Sequence, residues 1–233
     1  MLIATRNAHK VEEIRAILGN DFRCLMLNEF PDFPEVIEDQ ATFAGNATKK
    51  SVELAKWISS RITHHAPRIM PALVLADDSG LEVDALNGAP GVYSARFAAL
   101  DGGGTGNSPT QENNAKLLRL LHNVPFEQRT ARFRCVLALT PALSPSWKNE
   151  SPVCAADEFE LQTELFDGAC EGRIGFDLKG QGGFGYDPLF VPHGHDQTFG
   201  ELGEDVKNRL SHRAKALEKL KARLVLSRRD LRQ

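Results

Sequence analysis

Nowhere does the chain carry a run of about eighteen apolar residues, the length a membrane-crossing helix needs. Its first residues, MLIATRNAHK, open on four apolar side chains, too few for the core of a secretory signal. No charge sign dominates either. Lys and Arg number 28 against 31 Asp and Glu, a net charge of −3, so no overall field draws in nucleic acid. Cysteine is scarce at four, and Cys24, Cys135, Cys154 and Cys170 form no CxxC pair. That removes a zinc ribbon or a thioredoxin-type motif and fits reduced thiols in a cytoplasmic protein. Internal repeats, low-complexity blocks, a Walker A sequence and Gly-x-Ser-x-Gly are all missing.

What is present is an ordinary globular composition, 42% hydrophobic and 25% charged over 233 residues. That length admits one large domain or two lobes. Two stretches read as surface insertions, Ser59–Pro71 and Pro141–Pro152, and neither has the composition of a long linker. The chain is therefore expected to be a single domain over 1–233 with two interleaved lobes.

Helical and strand periods alternate along it. Leu2–Thr5 reads as a strand, followed by a helix capped by Asn7 and closed by Gly19, with Val11, Ile14, Ile17 and Leu18 apolar. Thr42 caps a second helix, with Phe43, Ala47, Leu54 and Ile58 on one face. Ala72–Ala76 is a buried strand, and Gly80 permits a sharp turn into a second strand over Leu81–Leu86, with Leu81, Val83 and Ala85 on one side. Thr110–His122 and Ser211–Leu226 are helices, the second with Ser211 as a candidate cap. Ala131–Leu139 is a strand with Ala131, Phe133, Cys135, Leu137 and Leu139 facing one way and Arg132 and Arg134 the other; Leu189–Val191 is a short one, and Glu158–Phe166 another with Phe159, Leu161 and Leu165 inward. The mixture lacks strict βαβ alternation, so an α/β fold with a mixed twisted sheet and flanking helices is expected.

Five constellations carry chemistry. Thr5, Arg6, Asn7, Ala8, His9 and Lys10 join a strand to a helix N-terminus, where amide groups, the macrodipole and two cations suit phosphate. By itself this is more simply an ordinary cap with solvated basic neighbours. Asp77 and Asp78 end an apolar strand, and a carboxylate there suits Mg²⁺; an Asp-rich turn is the plain alternative. Successive strand residues face opposite ways, so only one of the two need face a site. Glu35, Glu38 and Asp39 can add a carboxylate or merely favour the next helix N-terminus. Gly180–Pro188 contains G-x-G-x-x-G but precedes no helix, which removes the dinucleotide reading and leaves either Phe184 or Tyr186 stacking on a base or a tight structural turn. Lys207, His212 and Arg213 sit by a helix start, where a solvated first turn is the simpler reading. His193 and His195 lack a third ligand nearby.

The order of these signals is specific. Thr5–Lys10, then Thr42-Phe43-x-x-Asn46-Ala47-x-x-Lys50, Ala76–Leu86, Gly88–Arg96, Gly182–Pro188 and Ser211-His212-Arg213 recur in that order in one family. From Leu2 to about Leu224 the chain resembles the inosine triphosphate pyrophosphatases, also called dITP/XTP pyrophosphatases.

The resemblance implies an elongated mixed sheet with two lobes around a central nucleotide-binding cleft. It implies hydrolysis of ITP, dITP and XTP to the monophosphate and pyrophosphate, Mg²⁺ dependence, a homodimer and a cytoplasmic role in clearing the nucleotide pool, with no nucleic-acid or membrane partner. Carried over by residue, Asp78 is the catalytic base and a metal ligand with Glu38. Thr5, Arg6, Asn7, Ala8, His9, Lys10, Lys50 and Ser79 bind substrate, as do Phe184, Gly185, Tyr186, Asp187, Lys207, His212 and Arg213. One departure stands out: Gly45 occupies a position where many members have glutamate, which removes a carboxylate and leaves metal stoichiometry open. The rival readings are a septum-inhibition type of nucleotide pyrophosphatase and a non-catalytic nucleotide sensor.

Overall fold

A computed structural model describes residues 1–61, 72–142 and 162–230. Most of both expected insertions, together with Phe159 and Leu161, lies outside the described residues. Six strands form one sheet in the order β2-β1-β3-β4-β5-β6. They are β1 (Leu2–Ile3), β2 (Leu25–Met26), β3 (Leu73–Val83), β4 (Thr130–Pro141), β5 (Glu164–Ile174) and β6 (Phe190–Pro192). β1 runs parallel to β2 and β3, and β6 antiparallel to β5, so the sheet is mixed. The helices are α1 (Ala8–Leu18), α2 (Phe43–Arg61), α3 (Thr110–Leu120), α4 (Phe199–Leu202), α5 (Glu204–Leu210) and α6 (His212–Asp230). Among the described residues no helix is long and apolar enough to cross a membrane.

The chain divides into two compact units made of interleaved segments. Unit 1 takes Met1–Asp78, Val136–Phe166 and the C-terminal end; unit 2 takes Ser79–Cys135 and Asp167–Leu226. In unit 1, Leu54, Ala55 and Ile58 of α2 pack with Leu2, Val74 and Ala76 of the sheet. Trp57 presents its ring edge-on to Phe30 and Phe33. The caps form as the side chains dictate. Asn7 accepts the Lys10 amide at 3.2 Å, and Thr42 Oγ1 accepts the Gly45 amide at 3.0 Å.

In unit 2, Phe133, Phe190 and Phe199 cluster with centroids 4.6 to 6.4 Å apart, Phe199 stacked on both and Phe133 tilted against Phe190. His212 lies on the Phe133 ring at 4.9 Å and 16°. Helix α6 reaches the sheet because Gly168 has no side chain: a Cβ there would fall 2.1 Å from the His212 carbonyl oxygen. Arg129 and Arg213 are the largest fully buried side chains among the described residues, and the Arg129 guanidinium donates to the carbonyls of Leu121, Val124 and Gly175 at 2.7 to 2.9 Å. These carbonyls end α3 and the β5 segment, so one cation closes both. Arg129→Met keeps the bulk and strips the donors. We expect it to lower stability by about 2–4 kcal/mol, read as a shifted urea midpoint at unchanged slope.

Three sequence expectations fail here. Gly80 makes no turn: β3 runs unbroken through Asp77, Asp78, Ser79 and Gly80 to Val83. Pairing within the sheet holds an extended backbone that the local Asp-Asp-Ser-Gly composition disfavours. Ala85 consequently lies beyond the strand, in the 3₁₀ turn Asp84–Leu86, and is exposed. Leu165 is 48% exposed rather than inward. The buried parity of β5 is Phe166, Gly168 and Cys170, and a one-residue error of parity turns every side chain to the other face.

Candidate functional site

Unit 1 gathers its charged groups where β1 and β3 lie side by side. Lys10, in the first turn of α1, is paired with the Asp77 carboxylate. Lys50 of α2 donates to the Asp77 carbonyl at 2.7 Å, to Glu38 Oε1 at 2.8 Å, and lies 3.9 Å from Asp78 Oδ1. Asp78 Oδ2 accepts the side-chain amide of Asn46 at 3.0 Å. Asp77 and Asp78 are 2% and 5% exposed, so both carboxylates are buried although they leave the strand in opposite directions.

Burial pushes the Asp78 carboxyl above the usual carboxylate range, while the cations of Lys50 and Lys10 pull it back and Glu38 adds to the rise. A buried aspartate with a raised proton affinity beside two lysines is suited to take a proton from water. Arg6 ties the cradle to the following loop by donating to the Phe33 carbonyl at 3.1 Å. Thr5 Oγ1 accepts the Asn7 amide, and Ala8 and His9 are exposed on the first turn of α1.

Only one of the two aspartates need face a site, and Asp77, the neighbour of Asp78, is paired with Lys10. Asp77→Asn is therefore not a silent control. We expect it to lower stability by about 1.5–3 kcal/mol, because a charged hydrogen bond holding the lysine is lost. Urea unfolding beside wild type measures the loss.

Unit 2 carries the second group. Asp187 Oδ2 accepts the Phe184 amide at 2.7 Å and the Lys207 ammonium at 2.6 Å, with both charged side chains almost fully buried. Gly183 makes this possible: its φ is +72°, and a Cβ would lie 2.1 Å from Asp187 Oδ2. The Lys207 ammonium also sits 4.4 Å over the half-buried Phe184 ring. Tyr186 lies in the apolar core with its hydroxyl donating to the Ser94 carbonyl at 2.9 Å. Of the two aromatics proposed for stacking, Phe184 is the one whose ring is partly exposed.

The start of α6 is not a solvated turn. Ser211 caps it by accepting the Ala214 amide at 3.1 Å, and His212 and Arg213 are 5% and 1% exposed. Arg213 donates to Ser79 Oγ at 2.9 Å. Two further residues emerge that the sequence did not single out as site residues. Asn46 is fully buried, and Asn114 of α3 holds the Gly185 carbonyl at 3.1 Å. Each is a polar residue on the buried face of an amphipathic helix; for Asn114 that placement was the available signal, and Asn46 also stands in the Thr42–Lys50 motif.

Comparison with known proteins agrees with this architecture. Residues 1–223 match the Ham1 family. A dITP/XTP pyrophosphatase of Desulforamulus reducens is 45% identical over 220 residues, 94% of this chain and 92% of that protein. One from Geobacter sulfurreducens is 45% identical over 225 residues, 96% of each. Among solved structures, a HAM1 protein from Coxiella burnetii superposes with a TM-score of 0.73 at 32% identity, covering 96% of this chain and 97% of that one. The Staphylococcus aureus Ham1 protein gives 0.72 at 34% identity, covering 97% and 98%. These are α/β proteins of one fold, matched along nearly their whole length. The chain belongs to the Ham1 family.

Proposed function

We propose that this chain hydrolyses non-standard purine nucleoside triphosphates, ITP, dITP and XTP, to the monophosphate and pyrophosphate. The names of its relatives support the substrate class, and one observation supports the chemistry: a buried carboxylate, Asp78, beside two lysines and a helix N-terminus. In this reading the chain is a single Ham1-type domain whose interleaved units are its lobes, with insertions over 59–71 and 141–152. It acts in the cytoplasm as a homodimer.

Asp78 removes a proton from the attacking water, which forms the new bond to the α-phosphorus. The bond from that phosphorus to the bridging oxygen breaks, and pyrophosphate leaves with the electron pair. Lys10 and the N-terminal turn of α1 neutralise the triphosphate, with Thr5 to His9 forming the cradle. Lys50 keeps Glu38 and Asp78 aimed at the same point. Phe184, Gly185, Asp187, Lys207, His212 and Arg213 take the purine, and Ser79 links that group to β3. Amide groups or Arg213 donating to a 6-oxo oxygen leave the amino group of adenine unmatched.

The residues fit Mg²⁺. Glu38 and Asp78 share one lysine, so their oxygens converge, and Mg²⁺ takes one or two carboxylates with water and phosphate oxygens. Among the described residues no cluster of three His, Cys, Asp or Glu forms. Such an ion would neutralise charge on the phosphates.

The test is an anion-exchange product analysis with ITP, XTP, dITP, GTP and ATP, with Mg²⁺ and with EDTA. The expected result is pyrophosphate and IMP from ITP, slow turnover of ATP, and none in EDTA. Release of orthophosphate and IDP from ITP would overturn the reading.

A further inference from the structure

Three consecutive residues bind α2 in sequence. Glu38 meets Lys50 at 2.8 Å, Asp39 meets Lys49 at 2.9 Å, and the Gln40 amide donates to Asn46 Oδ1 at 2.9 Å. Residues 46, 49 and 50 share one face of the helix, three and four apart, so residues 38–40 lie along it like one side of a zipper. Gly45 is what allows the approach. A Cβ at residue 45 would fall 2.9 Å from the Gln40 Cβ and 3.3 Å from its Cγ. The glycine leaves open the space that Gln40 occupies.

Asn46 has two ends, and both are used. Its oxygen holds the Gln40 amide, and its nitrogen donates to Asp78 Oδ2 at 3.0 Å. It is 0% exposed, so neither bond is exchanged for bulk water. Lys50, one turn on, makes the same pair of connections with charge: Glu38 on one side, Asp78 and the Asp77 carbonyl on the other. Lysine alone leaves the carboxylate free to pivot, because an ammonium is a point charge. A planar amide fixes one oxygen of Asp78 and leaves the other turned to Lys50.

We propose that Asn46 is a positioning residue that locks the Asp78 carboxylate in one rotation and ties it to the segment bearing Glu38, with Gly45 providing the room for that tie. The proposal rests on the catalytic reading of Asp78. Asn suits the position because it must donate to a carboxylate and accept from an amide at once through two separate atoms: an ionised Asp cannot donate, Leu does neither, and Ser has one oxygen on a shorter side chain.

The test uses Asn46→Ala, with the near-isosteric Asn46→Asp in case the alanine variant does not fold, and Gly45→Val to push Gln40 off the helix. Turnover of ITP should fall about 10–10²-fold in the Asn46 variants with KM within about threefold, and less in Gly45→Val. Calorimetric affinity for a non-hydrolysable ITP analogue with Mg²⁺ should stay within about threefold, which a merely structural defect would not leave intact. In an Asp78→Asn background the same Asn46 change should reduce the residual rate no further, because the two residues act as one. Wild-type turnover in a folded Asn46 variant, or independent losses that multiply in the double variant, overturns the proposal. If Asp78→Asn itself keeps full turnover, the catalytic reading fails instead, and the two failures are told apart.

Discussion

Asp78→Asn should lower ITP turnover by about 10²–10⁴-fold, the range for loss of a general base, in a protein that melts no lower than wild type. Both halves of that expectation come from one fact. The Asp78 carboxyl is 5% exposed, and burial raises its proton affinity more than the lysines lower it. The charged form is thus held at a cost in the folded chain, and a neutral amide of the same shape relieves it. The amide offers no base to the water. Single-turnover rates with ITP and calorimetric melting check the two parts separately. A folded variant with near-normal turnover would remove Asp78 from the chemistry.

Lys207→Met should destabilise the protein by about 3–5 kcal/mol, the cost of leaving one member of a buried ion pair alone. The pair is tight and dry: Lys207 and Asp187 are 4% and 2% exposed and 2.6 Å apart. Asp187 also holds the Phe184 amide, so loss of the lysine loosens the loop as well as the core. Asp187→Asn in the same chain removes the stranded charge and should recover part of the loss. Urea unfolding of the two single variants and the double gives the coupling. Independent, additive losses would show that the pair is not a unit.

How much of this was legible depended on the range of the signal. The caps at Asn7, Thr42 and Ser211 are local chemistry, and the structure forms all three. The alternation of Ala131, Phe133 and Cys135 announced β4, because one face there is covered and the other half-open. The same strand is buried on both faces from Val136 to Thr140, where no period remains to be seen. The turn at Gly80 was misread because extension there is imposed by neighbouring strands. Asp77 and Asp78 could be found but not assigned: their separate partners, Lys10 and Asn46, come from 67 and 32 residues away. The burial of His212 and Arg213 depends on Gly168 and Phe133, which nothing near Ser211 foretells.

The interleaving of the two units sets the order in which the chain can fold as it is made. The first segment of unit 1 ends at Asp78, and its next segment begins only at Val136, after all of Ser79–Cys135. At about 5–20 residues per second, the ribosome leaves that half-built unit waiting for seconds. During that interval α2 has been made, but Ala142, which belongs to the core behind it, has not. Unit 2 waits in turn for Asp167–Leu226, including the helix that docks on Gly168. A polypeptide released early, at Asp78 or at Cys135, therefore holds no finished unit. It presents apolar surface to chaperones and proteases rather than a partial enzyme.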